Sequence, residues 1–121
     1  LRICMDLDLA FRLFMNSAVA YLDEVIFFYR KHDGNSSRNE ELRLTENIQV
    51  IEKLVVQNKT AGALLGEKRV AARLAYRYYR LARGRGKHGE RSGARSAITQ
   101  ASRLRPLSLK YRLYRLHWAF F

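Results

Sequence analysis

Residues 6–39 read DLDLAFRLFMNSAVAYLDEVIFFYRKHDGNSSRN, and this stretch decides the predicted fold. It begins with an acidic pair, and apolar residues then recur at helical spacing. Because the exposed amide groups at a helix start favour a carboxylate, we predict a short helix that begins near Asp6 and ends near Asn16. Two aromatic and β-branched runs follow, and a polar segment ends the stretch.

The two runs, 19–22 and 25–29, predict two short strands around the polar pair Asp23-Glu24. Five consecutive apolar residues in the second run are typical of a strand that is covered on both faces. A chain of 121 residues contains little sheet to cover it, so we expect the neighbouring strands to lie outside this chain. The predicted fold class is α+β, mainly α, with a two-strand remnant followed by a small helical array.

A turn is predicted at Asp33-Gly34-Asn35, because Gly and Asn tolerate positive φ. Ser37 and Glu40 then have the spacing of a capping box, which predicts the start of a second helix. This helix should run to about Gln57, with one apolar stripe formed by Leu44, Ile48, Ile51 and Val55.

Three more helices are predicted in the second half of the chain. The third covers about 65–82 and should end at a flexible connection that contains Gly84, Gly86 and Gly89. The fourth has a narrow inner face of small residues and stops at Pro106. The last helix carries one apolar face and a group of aromatic residues beside it, namely Leu109, Leu113, Leu116 and Phe120 with Tyr111, Tyr114 and Trp118.

The formal net charge of +12 is concentrated in the second half of the chain. Residues 1–60 contain 8 Lys or Arg against 9 Asp or Glu, whereas residues 61–121 contain 15 against 2. Such a basic segment suits nucleic acid, anionic lipid or an acidic protein surface. The chain has no recognisable helix-turn-helix, zinc or RNA-binding signature, so no specific nucleic-acid partner is predicted.

Other features of the composition bear on location. The single Cys, Cys4, excludes an internal disulfide and suits a reducing compartment, so a cytoplasmic protein is predicted. The chain contains no run of about 18 uncharged apolar residues, so no membrane-spanning helix is predicted. Because the chain begins with Leu1 rather than Met, we expect it to be part of a longer protein.

The segment Asp6-Leu7-Asp8-Leu9-Ala10-Phe11-Arg12-Leu13 resembles a pattern found late in the catalytic domain of family 2 glycosyltransferases. The resemblance implies a GT-A fold, with residues 1–60 as the C-terminal part of the catalytic domain. Residues 78–83, the Gly-rich turn and the small residues before Pro106 resemble one tetratricopeptide-type helical hairpin, so residues 61–121 would form a basic tail with this hairpin and a final amphipathic helix. On this match Asp6 takes the place of the catalytic base and Asp8 follows it, whereas Met5 stands where the family usually has Glu. Without the resemblance, both acids are ordinary N-terminal residues of a helix.

Residues 19–24 and the pattern Tyr29-Arg30-x-His32-x-Gly34-Asn35-x-Ser37 resemble the strand pair and donor loop of the same family. The resemblance implies that the donor is bound by Arg30, His32, Asn35 and Ser37. His32 would also contact a divalent metal, Mg or Mn, held mainly by a nucleotide-binding half outside this chain. Alternatively, Arg30 is solvated, His32 is bonded to backbone, and Asn35 and Ser37 are turn and cap residues.

The resemblance implies transfer of a sugar from a nucleotide sugar to a glycan or lipid-linked acceptor, in synthesis of a cell-envelope polysaccharide or glycan. The enzyme would be cytoplasmic, at the inner face of the membrane, and the isolated chain is predicted to be inactive. The alternative prediction is a helical adaptor whose basic tail binds an acidic protein or an anionic membrane surface. In the membrane case, Tyr111, Tyr114 and Trp118 would lie at the interface; otherwise they pack in the core.

Overall fold

The computed structural model describes residues 1–30, 32, 34–35 and 39–120, and six helices are present in these ranges. The described chain is therefore mainly α-helical, as the sequence predicted at this coarser level. In chain order the helices are α1 Met5–Asn16, α2 Glu40–Gln57, α3 Lys59–Leu65, α4 Glu67–Lys87, α5 Arg91–Leu104 and α6 Leu109–Phe120.

The two predicted strands, 19–22 and 25–29, are absent: residues 18–30 contain neither helix nor strand. Their large apolar side chains are exposed to solvent, up to 94% for Phe28. A strand needs a second strand to accept and donate its backbone hydrogen bonds, and none is formed within the described residues. The α+β part of the prediction is thus wrong for this part of the chain, although local propensity favoured strands there.

Two asparagines set the ends of α2. The Asn39 side chain accepts a hydrogen bond from the Leu42 backbone N–H at 3.0 Å, so Asn39 is the N-cap. Ser37, the predicted cap, lies outside the described residues. At the other end, Asn58 follows the last residue of α2 and accepts a hydrogen bond from Ala61 N–H at 3.0 Å, which starts α3. The second helix therefore ends at Gln57, as predicted, and a short helix that was not predicted, α3, follows it.

The core lies around α4, which packs against α2 on one side and α5 on the other, while α6 packs against α5. Leu44 and Ile48 of α2 belong to the same buried cluster as residues of α4, α5 and α6. The Tyr78 hydroxyl also links α4 to α2, since it donates to Glu52 Oε1 at 2.7 Å. Burial and this hydrogen bond raise the pKa of Tyr78 to about 12. The division into two domains at residue 60 stays a prediction.

The last turns of α4 contain glycines that were predicted to end the helix. Instead α4 continues through Gly84 and Gly86 to Lys87, and the chain turns only at Gly89, whose φ is +79°. A Cβ atom on Gly86 would overlap the ring of Trp118 from α6, whereas a Cβ on Gly84 would meet nothing within 4 Å. Gly86 is therefore needed for the approach of α6, not for the end of α4.

We predict that Gly86→Ala destabilises the fold by about 1–3 kcal/mol, because the Trp118 ring must move to make room for the new methyl group. Gly84→Ala is the matched control, with the same substitution two residues away, and should be stabilising by about 0.4–1 kcal/mol through helix propensity. Urea unfolding followed by circular dichroism measures both changes. Equal stabilities of the two variants would contradict the assigned role of Gly86.

Candidate functional site

The two acids predicted to act in catalysis lie in the first turn of α1 but have different surroundings. Asp6 is exposed, and its Oδ1 accepts a hydrogen bond from Leu7 N–H at 2.7 Å. Asp8 is largely covered, with 13% of its side chain exposed, and it pairs with Arg12 at 3.0 Å and Lys53 at 3.2 Å. Because Lys53 belongs to α2, the ion pair between Asp8 and Lys53 links α1 to α2.

The predicted donor-binding residues lie in the segment before α2. Asn35 bonds within this segment: its Nδ2 donates to the Tyr29 hydroxyl and to the Arg30 carbonyl, both at 3.1 Å, and its N–H donates to the His32 carbonyl at 3.2 Å. These contacts match the turn role that was the alternative for Asn35. Arg30 and His32 are exposed, and Ser37 lies outside the described residues.

Within the described ranges, no hydrogen bond or ion pair joins these loop residues to Asp6 or Asp8. Nor does the described part of the chain contain three His, Cys, Asp or Glu side chains grouped so that they could hold a metal ion. The roles of His32 as a metal ligand and of Asp6 as a base stay predictions.

The segment before α1 is held by Glu46 of α2, a buried carboxylate. Its oxygens accept hydrogen bonds from the backbone N–H groups of Arg2, Ile3 and Cys4 at 2.6, 2.7 and 2.9 Å. Burial alone would raise the pKa of Glu46, but these three donors lower it below 4.5. Glu46 therefore fixes the position from which α1 starts.

Cys4 is a buried free thiol beside Glu46. Burial, and then the negative charges of Glu46 and Asp6, raise its pKa above 9.0. Because the thiolate is the reactive form, this environment favours packing over chemistry.

The outer face of α6 is apolar and exposed. Leu109, Leu113, Leu116 and Phe120 form one stripe along the helix, and they are exposed by 72%, 64%, 49% and 80%. By their helical positions, Arg112 borders the stripe on one side and Lys110 and His117 border it on the other. Lys110 Nζ lies 4.2 Å from the centre of the Tyr79 ring. This stripe is the apolar face predicted for the last helix, but it points to solvent.

The inner face of α6 is formed by the aromatic residues instead. Tyr111 is buried, and Tyr114 and Trp118 are half-buried. The Tyr79 ring of α4 lies 5.5 Å from the Tyr111 ring and 5.0 Å from the Tyr114 ring, in the second case edge to face. These three residues therefore face the core, and the alternative placement at a membrane interface is not the one that the structure shows.

A groove of about 710 Å³ lies between α5 and the end of α6. The α5 side supplies Arg91, Arg95 and Arg103 together with serine and threonine hydroxyl groups, and the α6 side supplies Trp118 and Phe120. Since Phe120 is also the last residue of the stripe, the groove adjoins the stripe. The arrangement places an apolar surface beside cations and hydroxyl groups, which are the donors that phosphate oxygens accept from.

None of the helices in the described ranges is long and apolar enough to cross a membrane. No protein-family model matches the sequence, and neither a curated protein nor a solved structure matches it.

We predict that Glu46→Gln lowers the melting temperature at pH 7, because the amide loses the charge that the three N–H groups stabilise. The folded pKa of Glu46 is depressed, so its contribution is present above pH 4.5 and is lost as the pH falls through the lower folded value. The difference between wild type and variant should therefore shrink in acid. Thermal melts from pH 7 to pH 3 measure it.

Glu24→Gln makes the same change at an exposed position in the segment between α1 and α2, and it should leave the melting temperature nearly unchanged. A Glu46→Gln deficit that stays constant from pH 7 to pH 3 would contradict the assignment.

Proposed function

We propose that this chain is a helical module that attaches to an anionic lipid surface through the outer face of α6. The observation that carries the proposal is the exposed stripe of Leu109, Leu113, Leu116 and Phe120, on a helix that also carries Lys110, Arg112 and Arg115. An amphipathic helix of this kind lies in the interface plane, with its apolar side chains below the headgroups and its cations among them.

This contact would contribute several kcal/mol to the free energy of binding. Inserting the exposed parts of the four apolar side chains is worth roughly 5 kcal/mol before the costs of association. Each Lys or Arg held near an anionic surface adds about 1 kcal/mol. Because the opposite face of α6 is already packed against the core, the helix is ordered before it meets the membrane. That order removes the folding cost that a free amphipathic peptide carries.

The groove between α5 and α6 supports the same orientation. Arg91, Arg95 and Arg103 surround it, and Phe120 joins it to the stripe. With the stripe inserted, these arginines would meet headgroup phosphates, which guanidinium groups bind in a bidentate manner. The basic charge of residues 61–121 thus supports lipid over an uncharged apolar partner.

A second copy of the chain is a less suitable occupant of the stripe. Packing two stripes together would bring Lys110, Arg112 and Arg115 of each copy close to their counterparts, and like charges at an interface oppose association. An acidic protein would neutralise the cations of α6. It would also need an apolar groove that covers the four apolar side chains.

We predict that the chain sediments with vesicles of phosphatidylcholine and phosphatidylserine, and much less with phosphatidylcholine alone. Leu113→Glu should weaken this binding about tenfold or more, because it removes apolar contact and adds repulsion. Leu64→Glu is the matched control, since Leu64 is 76% exposed on α3. Equal losses for the two variants, or equal binding to both vesicle types, would overturn the proposal.

The family resemblance supports a second proposal, in which this chain completes a glycosyltransferase that contains a further nucleotide-binding half. The observation that favours it is the exposed carboxylate of Asp6 in the first turn of α1, a setting that suits a general base. The absence of the strand pair from the described residues makes it the weaker of the two proposals.

In such a longer protein we predict that Asp6→Ala abolishes sugar transfer while circular dichroism stays unchanged, because Asp6 makes no ion pair that supports the described fold. The isolated 121-residue chain should transfer no sugar. A radiolabelled nucleotide-sugar assay tests both expectations, and turnover by the isolated chain would contradict the second.

A further inference from the structure

A second basic cleft, of about 660 Å³, lies between α2 and α4, and all its lining residues come from these two helices. Arg69, Arg73 and Arg77 project into it from α4 and Arg43 from α2. We call these four residues the arginine cluster. Asn47 and Tyr76 complete the polar and aromatic parts of the wall.

The positive charge of the arginine cluster is not compensated within the described residues, where no carboxylate lies within ion-pair distance of these four side chains. Nearby acids have other partners. Glu40 pairs with Arg80, Glu41 pairs with Arg85 at 2.8 Å, and Glu46 binds the backbone before α1. The cluster therefore presents four cations to one cleft.

The arrangement of the cluster opposes the stability of the protein itself. Arg69, Arg73 and Arg77 are spaced four residues apart on α4, and each like-charge pair at this spacing destabilises a helix. Burial, and then repulsion by Arg73, lower the pKa of Arg77. In addition, Arg43 Nε is buried without a hydrogen-bond partner in the described part of the chain. Because buried donors normally have a hydrogen-bond partner, the unpaired Arg43 Nε indicates that the arginine cluster lacks an acceptor with a negative charge.

We propose that this cleft binds a compound that carries two or more adjacent phosphate groups. Four guanidinium groups in one small cleft require a ligand with several negative charges close together, and their planar forks match phosphate oxygens. The cleft volume lies within the range of small-molecule sites. Tyr76, which is 51% exposed, offers an aromatic surface at its edge for the rest of the ligand.

The proposal is tested with sodium tripolyphosphate and the full 121-residue chain, by calorimetric titration at physiological ionic strength. The cleft variant is Arg69→Gln with Arg73→Gln, two exposed residues whose loss should leave the core intact. The control variant is Lys59→Gln with Arg105→Gln, which removes the same charge at two exposed positions outside both the cleft and the α5–α6 groove. The cleft variant should bind at least about tenfold more weakly, whereas the control should change by less than about threefold.

A thermal melt gives an independent readout. Tripolyphosphate should raise the melting temperature of the wild type and of the control variant, because a ligand that binds the folded state stabilises it. Without tripolyphosphate, the cleft variant should melt no lower than the wild type, since it loses only repulsive pairs. Equal weakening in both double variants, or no binding of tripolyphosphate, would overturn the proposal.

The phosphates could belong to a free metabolite or to a lipid headgroup, and vesicles that contain a bisphosphorylated phosphoinositide distinguish the two sources. If the chain binds these vesicles more tightly than phosphatidylserine vesicles, and if this extra binding is lost in the cleft variant and displaced by tripolyphosphate, the phosphates belong to the lipid. If the chain binds tripolyphosphate but binds these vesicles no better than phosphatidylserine vesicles, the ligand is a free compound. Either result supports the cleft as a phosphate site, and the Leu113→Glu measurement remains a separate test of the α6 stripe.

Discussion

The packing of α4 against α5 relies on alanine side chains that are almost completely buried. Ala75 and Ala82 of α4 and Ala94, Ala97 and Ala101 of α5 are exposed by 3% or less. Because alanine has no atoms beyond Cβ, the two helices approach closely, and the larger Ile98 and Tyr79 fill the remaining space beside them. The short connection of residues 88–90 returns the chain directly, so α4 and α5 form an antiparallel hairpin.

This hairpin determines the orientation of α6, which has two apolar faces. Tyr79 offers its ring to Tyr111 and Tyr114, and Gly86 leaves room for Trp118. The Tyr79 ring also lies 4.2 Å from Lys110 Nζ, close enough for a cation–π contact. With the aromatic face inside, the leucine face must point outward. The feature that carries the proposed lipid contact is therefore a direct result of core packing.

The N-terminal part of the chain depends on polar contacts instead of a core. Glu46 holds the backbone before α1, and Lys53 pairs with Asp8, but no residue of α1 itself is buried. Leu9, Leu13 and Phe14 remain half or more exposed, as do the apolar side chains of residues 19–29. These apolar side chains are therefore open to solvent within the described part of the chain.

The sequence alone predicted five of the six helices, the end of α2 near Gln57, the small-residue face of α5 and the basic second half, but neither α3 nor the end of α4 at Lys87. The predicted features follow from side-chain periodicity, capping residues and composition, which act over a few neighbouring residues. Only the tertiary structure decided that residues 19–29 form no strand, that the aromatic face of α6 turns inward, and that Arg43 joins the arginines of α4. These outcomes depend on contacts between residues far apart in the chain, and the periodicity of one segment contains no information about its partner.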